Sequence, residues 1–376
     1  MIAIRVNKAG NGDCISIQVK DHFILIDGGT ADSFDDWKTQ VIGVIKKIDT
    51  LIITHIDNDH VNGIIKLLQH PQCPEIGEIY FNGVEQLLES NICVDSEDKL
   101  DRRLEALKAE LSTINQNIQI GYSEGTSLSY LIKSKNINCN PIVAGEAIFR
   151  EKVAEFYSKD IKFNLIGPTS EDLNELRKKW KDKLRQKNIK ARIISKKYAK
   201  AFETYLSSLE QGNHLNKQIS STTFNTIDAL ASSQFVTDPS LPNKSSLSFL
   251  IEYDEKKILC LGDCHVETVE SWLDSIGVDV INVDLVKISH HGSKNNTSLS
   301  LLNRINCQNY YISTNGNIHN HPDLETLAKI TKVNKSKETF IYLNYEIKNI
   351  PAWFLEEINN SYSNIKIMMG VEEIDL

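Results

Sequence analysis

"TLIITHIDNDHVNG", residues 50–63, places His55, Asp57, Asp59 and His60 within six positions directly after the apolar run Leu51-Ile52-Ile53. A solvated turn has no need of four ligand-type side chains so close together. A sharp loop after a buried strand can aim His55 and Asp57 at one ion, and Asp59 and His60 at a second. Mixed imidazole and carboxylate donors suit zinc, manganese or iron, and a larger share of oxygen shifts the balance toward manganese. The reading is therefore a site for two divalent metal ions, Zn2+ or Mn2+. A polar helix start with unrelated histidines is the competing reading.

Outward from this stretch, the pattern is one of strands ending in chemistry-bearing residues. Residues 2–6 and 14–19 alternate as half-buried strands around the turn "KAGNGD". "HFILIDGG" reads as a strand ending at Asp27. Apolar spacing over 35–48 predicts a helix, 50–54 a buried strand, and "VNGIIKLLQH" from Val61 a helix stopped by Pro71. "EIGEIYFNG" is a further strand. From 245 the same logic returns. "SSLSFLIEYDEKKILCLGDC" gives two strands ending at Asp263, "VKISHHGSKNNTS" brings His290 and His291, and "GNIHNHP" brings His319 and His321. Binding sites of layered α/β folds collect at such strand ends. A single histidine is more often structural than ligating, but these occur at successive strand ends.

Between these blocks, residues 84–244 read as an insertion, mostly helix and loop, with one core-like strand near 161–167 and a helix after Pro168 capped by Thr169 or Ser170. The span 205–245 is rich in Ser, Thr, Asn and Gln and reads as loop. The core that carries these strand ends is assigned to 1–83 and 245–325. Residues 326–376 form a C-terminal extension that completes or flanks it.

Composition bounds the partners. The 376 residues carry a net charge of −8, which opposes generic nucleic-acid binding. Yet residues 177–200 hold twelve Lys or Arg against one Asp. Such a segment can track a polyanion, with Trp180 and Tyr198 placed to stack bases, or it can be a solvated helix face. Seven scattered cysteines without a paired spacing fit reduced thiols. No run approaches the ~20 apolar residues of a membrane span, and the start lacks a signal-peptide pattern, so a cytoplasmic location is expected.

The ordered set "ILIDGG", "THIDNDHVNG", "ILCLGDC", "VKISHHGSKNNTS" and "GNIHNHP" resembles the metallo-β-lactamase-fold hydrolases. It is most similar to the branch represented by the soluble hydrolase domain of the DNA-uptake protein ComEC, which shares the HxDxDH form. The resemblance covers roughly residues 1–83 and 245–325. It implies an αββα sandwich, here with a large, partly helical insertion, and a dinuclear site at one edge. In that scheme His55 and Asp57 take one metal with a histidine of "HHGS". Asp59 and His60 take the other with a histidine of "NIHNHP", and Asp263 bridges. Within the doublets His291 and His321 are favoured over His290 and His319. Asp27 supports the metal loop. Asp59 could orient the attacking water, and Lys294, Asn295, Lys287 and His319 are candidates for substrate contact.

The implied activity is phosphodiester hydrolysis, with nucleic acid as substrate. A phosphodiesterase for a cyclic nucleotide or phosphorylated head group is an alternative. So is a hydrolase within a multi-protein, defence-type assembly whose partner docks on the insertion.

Overall fold

The computed structural model describes residues 2–90, 92–93, 102–116, 127–189, 194–214 and 226–376. Sixteen strands are found among them: β1 (Ala3–Val6), β2 (Ile15–Val19), β3 (His22–Ile26), β4 (Lys47–Ile52), β5 (Glu75–Tyr80), β6 (Glu155–Ser158), β7 (Ile161–Gly167), β8 (Ser248–Tyr253), β9 (Lys256–Cys260), β10 (Ile281–Asn282), β11 (Leu285–Lys287), β12 (Ile305–Asn306), β13 (Asn309–Ile312), β14 (Thr339–Leu343), β15 (Ile365–Met368) and β16 (Glu373–Asp375). One sheet runs β16-β1-β2-β3-β4-β5. The other runs β15-β14-β13-β11-β9-β8-β7-β6, and β10 and β12 form a small parallel pair.

The two sheets face each other across an apolar layer. Ile4, Ile17, Ile24 and Ile26 meet Phe163, Phe249, Ile258 and Tyr311 there. The opposite faces are also buried. Leu25, Leu51 and Ile53 of the first sheet pack under Trp37, Ile64 and Leu68, and the same cluster continues into the insertion through Leu107, Trp180 and Phe202. Helices 266–275, 324–333 and 352–361 cover the second sheet through Trp272, Leu327 and Phe354. The result is an αββα sandwich. Strands such as β3 are apolar on both sides because both faces are covered.

Several local expectations are corrected. The helix expected over 35–48 ends at Val41, because Gly43 turns the chain with φ +81° and Lys47–Ile52 joins the sheet. The helix expected from Val61 begins at Asn58, with Asp57 as its N-cap. Asp59 and His60 therefore stand in its first turn. Residues 196–214 are one helix where 205 onward read as loop, since Tyr205 and Leu206 continue its buried face. Thr169 caps the helix 170–186 in a reciprocal box with Asp172.

Residues 155–167, inside the insertion by sequence, supply β6 and β7 to the second sheet. Residues 339–375 supply β14 and β15 to that sheet and β16 to the first. Among the described residues no helix is long and apolar enough to cross a membrane.

Candidate metal centre

The first sheet delivers Asp27 just past β3 and His55 just past β4; the second delivers Asp263 past β9 and His291 past β11. Parallel pairing of β3 with β4, and of β9 with β11, sends these four positions to one edge of the sandwich. The loop between β4 and the helix at Asn58 adds Asp57, and the helix's first turn adds Asp59 and His60.

The distances define the cluster. His60 Nε2 lies 3.4 Å from Asp263 Oδ2, and His291 Nε2 lies 3.5 Å from the same oxygen. His291 Nε2 is 3.4 Å from Asp59 Oδ2, and His55 Nε2 is 3.2 Å from Asp57 Oδ2 and 3.9 Å from Asp263 Oδ2. Charge-assisted hydrogen bonds close to about 2.7–2.9 Å. Two donors bound to one tetrahedral ion at about 2.0–2.1 Å sit roughly 3.3 Å apart. Most of the spacings here fit donors sharing an ion better than direct pairs. The Nε2 atoms of His55, His60 and His291 and Oδ1 of Asp263 are also buried without a hydrogen-bond partner. Four such atoms converging in one place would be costly unless something binds them. The residues thus fit divalent cations, and two overlapping sets, His55–His60–Asp263 and Asp59–His60–His291, each bring their donor atoms within 4.8 Å.

The outer atoms of the same imidazoles are held. Asp27 Oδ2 is 2.8 Å from His60 Nδ1. The Thr54 hydroxyl donates to Asp27 Oδ2 at 2.7 Å, so towards His55 Nδ1, 3.0 Å away, it offers a lone pair. The Ser313 carbonyl is 3.0 Å from His291 Nδ1, and Asp13 Oδ1 is 3.3 Å away. Each neutral ring is thereby fixed with its proton on Nδ1 and a bare Nε2 facing inward. Asn11 donates to Asp59 Oδ2 at 2.8 Å. His290, His291 and Gly292 take three consecutive left-handed conformations (φ 47°, 53° and 86°), and the two imidazoles stand edge to face with centroids 5.8 Å apart. Such local strain is characteristic of functional loops.

Charge follows the geometry. Burial drives His55 down to about 4. Burial also opposes charge on His60 and His291, but Asp263 with Asp27, and Asp263 with Asp13, outweigh it and hold both well above the usual histidine range. Asp263 is correspondingly held well below the usual carboxylate range despite its burial, by His291, His60 and His290. Asp59 is the most exposed of these residues. Its side chain is 17% exposed, against 0–4% for His55, Asp57, His60, Asp263 and His291.

Other sequence candidates stand elsewhere. His291 joins the Asp59–His60 side, not the His55–Asp57 side expected for it, because Ser313 and Asp13 anchor its outer nitrogen. His321 belongs to neither donor set. Its ring packs 5.6 Å from that of His290, its Nδ1 lies 3.5 Å from Asp323, and His319 stacks behind it at 5.9 Å. Lys287 is fully buried in an ion pair with Asp13 and so does not reach a substrate. Lys294 pairs with Glu325 at 2.7 Å. Asn295 is half-buried, and its carbonyl accepts from the Asp238 amide at 3.2 Å. Trp180 is fully buried and donates to the Tyr198 hydroxyl at 2.7 Å, so neither ring is a platform for bases. Asp13, Thr54 and Asp238 were not read from the sequence. Asp13 lay inside a stretch whose glycines read as a simple turn.

Residues 7–80, which carry Asp13, Asp27, His55, Asp57, Asp59 and His60, match the family model of the metallo-beta-lactamase superfamily. That match covers about a fifth of the chain. A 58-residue stretch is 38% identical to the hydroxyacylglutathione hydrolase of Idiomarina loihiensis; it spans 15% of this chain and 22% of that relative, so about a fifth of the relative's length is matched. Among solved structures, the metallo-beta-lactamase fold protein YhfI of Bacillus subtilis aligns over 99% of this chain and 97% of its own at 11% identity, with a TM-score of 0.39. A diphosphatase of the PhnP family aligns over 100% and 98% at 10% identity, with a TM-score of 0.36.

Proposed function

We propose that this metallo-beta-lactamase-fold chain is a metal-dependent phosphodiesterase, with nucleic acid as its substrate. The observation that carries the metal-dependent reading is the convergence of three imidazole Nε2 atoms and the Asp263 carboxylate at ion-sharing distances. The branch resemblance in "THIDNDHVNG", "LGDC" and "SHHGS" supports the phosphodiester assignment. His55, Asp57 and Asp263 would hold one divalent ion, and Asp59, His60, His291 and Asp263 the other. Ions bound there would supply Lewis-acid activation of water and neutralise an anionic phosphoryl group. The chain's own residues do the positioning. Asp27 and Thr54 orient His60 and His55, and Asp13, itself paired with Lys287, orients His291. Asp59, the most exposed carboxylate of the cluster, stands where water and substrate approach, fixed by Asn11.

One observation favours a small phosphodiester over a polymer. Half of the basic segment's twelve cations are ion-paired among the described residues: Lys183 lies 3.4 Å from Glu110, Lys187 pairs with the same carboxylate, Arg177 with Glu89 at 2.8 Å, Lys179 with Glu175 at 3.6 Å, Arg185 with Asp182 at 3.0 Å and Lys197 with Glu105 at 3.2 Å. Incubating the manganese- or zinc-loaded chain with single- and double-stranded DNA, and with bis(p-nitrophenyl) phosphate, tests both readings. The nucleic-acid reading expects DNA cleavage that weakens with salt and vanishes in Asp59→Ala. Cleavage of the small diester alone, insensitive to salt and to charge reversal at Lys178 and Lys181, selects the second. No hydrolysis of either substrate by the metal-loaded chain contradicts the function.

A further inference from the structure

The last loop of the insertion carries a buried carboxylate to the rear of the cluster. Asp238 is 6% exposed. Its Oδ1 accepts from the Ser240 amide at 2.8 Å. Its Oδ2 accepts from Asn243 Nδ2 at 2.8 Å and Asn296 Nδ2 at 3.1 Å, and lies 3.2 Å from His290 Nδ1 and 3.7 Å from His265 Nε2.

Asn296 cannot be turned round. Its Nδ2 also faces the carbonyls of Asp263 at 3.2 Å and Cys264 at 3.3 Å, both acceptors. Its Oδ1 must therefore be the atom 2.9 Å from His290 Nδ1. Asn243 Nδ2 makes the longest contact with that nitrogen, 3.3 Å, and donates at 2.8 Å to Asp238. His290 Nδ1 thus meets two acceptors, Asp238 Oδ2 and Asn296 Oδ1. The neutral ring keeps its proton there, and its lone pair lies on Nε2. Nε2 in turn points at the centre, 4.0 Å from Asp263 Oδ2.

We propose that Asp238 is a positioning residue that locks His290 in this tautomer and orientation, making His290 a fourth imidazole of the metal centre. The insertion then conditions metal loading, because its closing loop holds the back of one ligand. This rests on the metal-centre reading above.

The test uses the full chain and cobalt(II), whose visible absorption reports donor number and geometry, with manganese binding followed by equilibrium dialysis. Asp238→Asn should weaken one of two bound ions by about 10–100-fold and leave the other. His290→Gln should weaken the same ion, and adding Asp238→Asn to it should cost nothing more, because the first acts through the second. Two ions at wild-type affinity in Asp238→Asn would overturn the proposal while leaving the metal centre standing. Losses that add independently would also overturn it, as would both ions retained in His290→Gln, a variant that does not depend on Asp238→Asn folding. Wild-type chain that binds no metal removes the metal-centre reading itself, and the proposal with it.

Discussion

At Asp263 Oδ2, His60 and His291 approach to 3.4 and 3.5 Å, and His55 and His290 to 3.9 and 4.0 Å. Such crowding around one oxygen makes the surrounding hydrogen bonds decisive. Asp27→Asn leaves His60 Nδ1 facing an amide and frees the ring to rotate. It should reduce metal affinity by about 10–100-fold with the chain still folded, measured by equilibrium dialysis. Proton bookkeeping gives a second expectation. In the metal-free chain His60 and His291 are raised, so their stabilisation is complete below the unfolded value of about 6.5 and is lost as pH rises through their folded values. His55, lowered to about 4, has the opposite sign: its contribution is present above about 6.5 and is lost as pH falls towards 4. Metal must displace the protons on His60 and His291. Binding at pH 7 should release about two protons per chain, and affinity should fall as pH falls. Calorimetry in two buffers of different ionisation enthalpy measures this; no proton release would contradict it. The HxDxDH run was legible because its four donors are adjacent in sequence. Asp13, Thr54 and Asp238 were not, because each acts on a histidine through a contact that only the folded chain makes. The partners of Lys287 and Lys294, Asp13 and Glu325, were likewise not legible because they are remote in sequence.

The element that sets the site is the helix beginning at Asn58. Its first turn carries Asp59 and His60, and its entry is fixed by close backbone approaches. A Cβ on Gly12 would stand 1.7 Å from the Asp59 carbonyl oxygen, and one on Gly63 would stand 1.8 Å from that of Gly28. Neither neighbour is a flexible side-chain tip, so the helix would have to move. Gly12→Ala should therefore destabilise by about 1–3 kcal/mol and also weaken metal binding, read from a denaturant midpoint together with dialysis. Unchanged metal affinity would show that Asp59 does not depend on this contact. Strands were readable from their apolar runs, and the capped helix at Thr169 from its sequence. Element ends were less so. Ile48 fits the helical spacing of 35–48, yet Gly43 ends that turn and β4 takes Ile48. The helix 196–214 also packs over the metal loop, where the Ser207 hydroxyl donates to the Ile56 carbonyl at 3.4 Å. Its polar sequence gave no sign of that role.

Across the whole molecule, both sheets are completed from late in the chain. β16 pairs with β1 through Ala3–Asp375, Ile4–Ile374 and Arg5–Glu373, and Leu376 exchanges both backbone hydrogen bonds with Ile2. Ending the chain at residue 370 would uncover this edge beside Ile2 and Ile4, which are 2% and 3% exposed. It should lower stability by about 1–3 kcal/mol without changing metal content per chain, since the site lies at the other strands' ends. Loss of metal would show that the edge strand and the centre are coupled. A layered α/β fold was legible from strands ending in acid or histidine, and the sandwich from the family resemblance of the motifs at those ends. The pairing of β16 with β1 was not, because Ala3 and Asp375 stand at opposite ends of the chain and such pairing leaves no local trace in sequence.

The most direct measurement is bound metal per chain, by elemental analysis, after reconstitution with manganese or zinc, in wild type and in Asp263→Asn. Asp263 is the carboxylate that the three inward-facing imidazole nitrogens share. The account predicts about two ions in the wild type and one or none in the variant. A wild-type chain that binds no ion under any reconstitution, or an Asp263→Asn chain that keeps two at undiminished affinity, would contradict it.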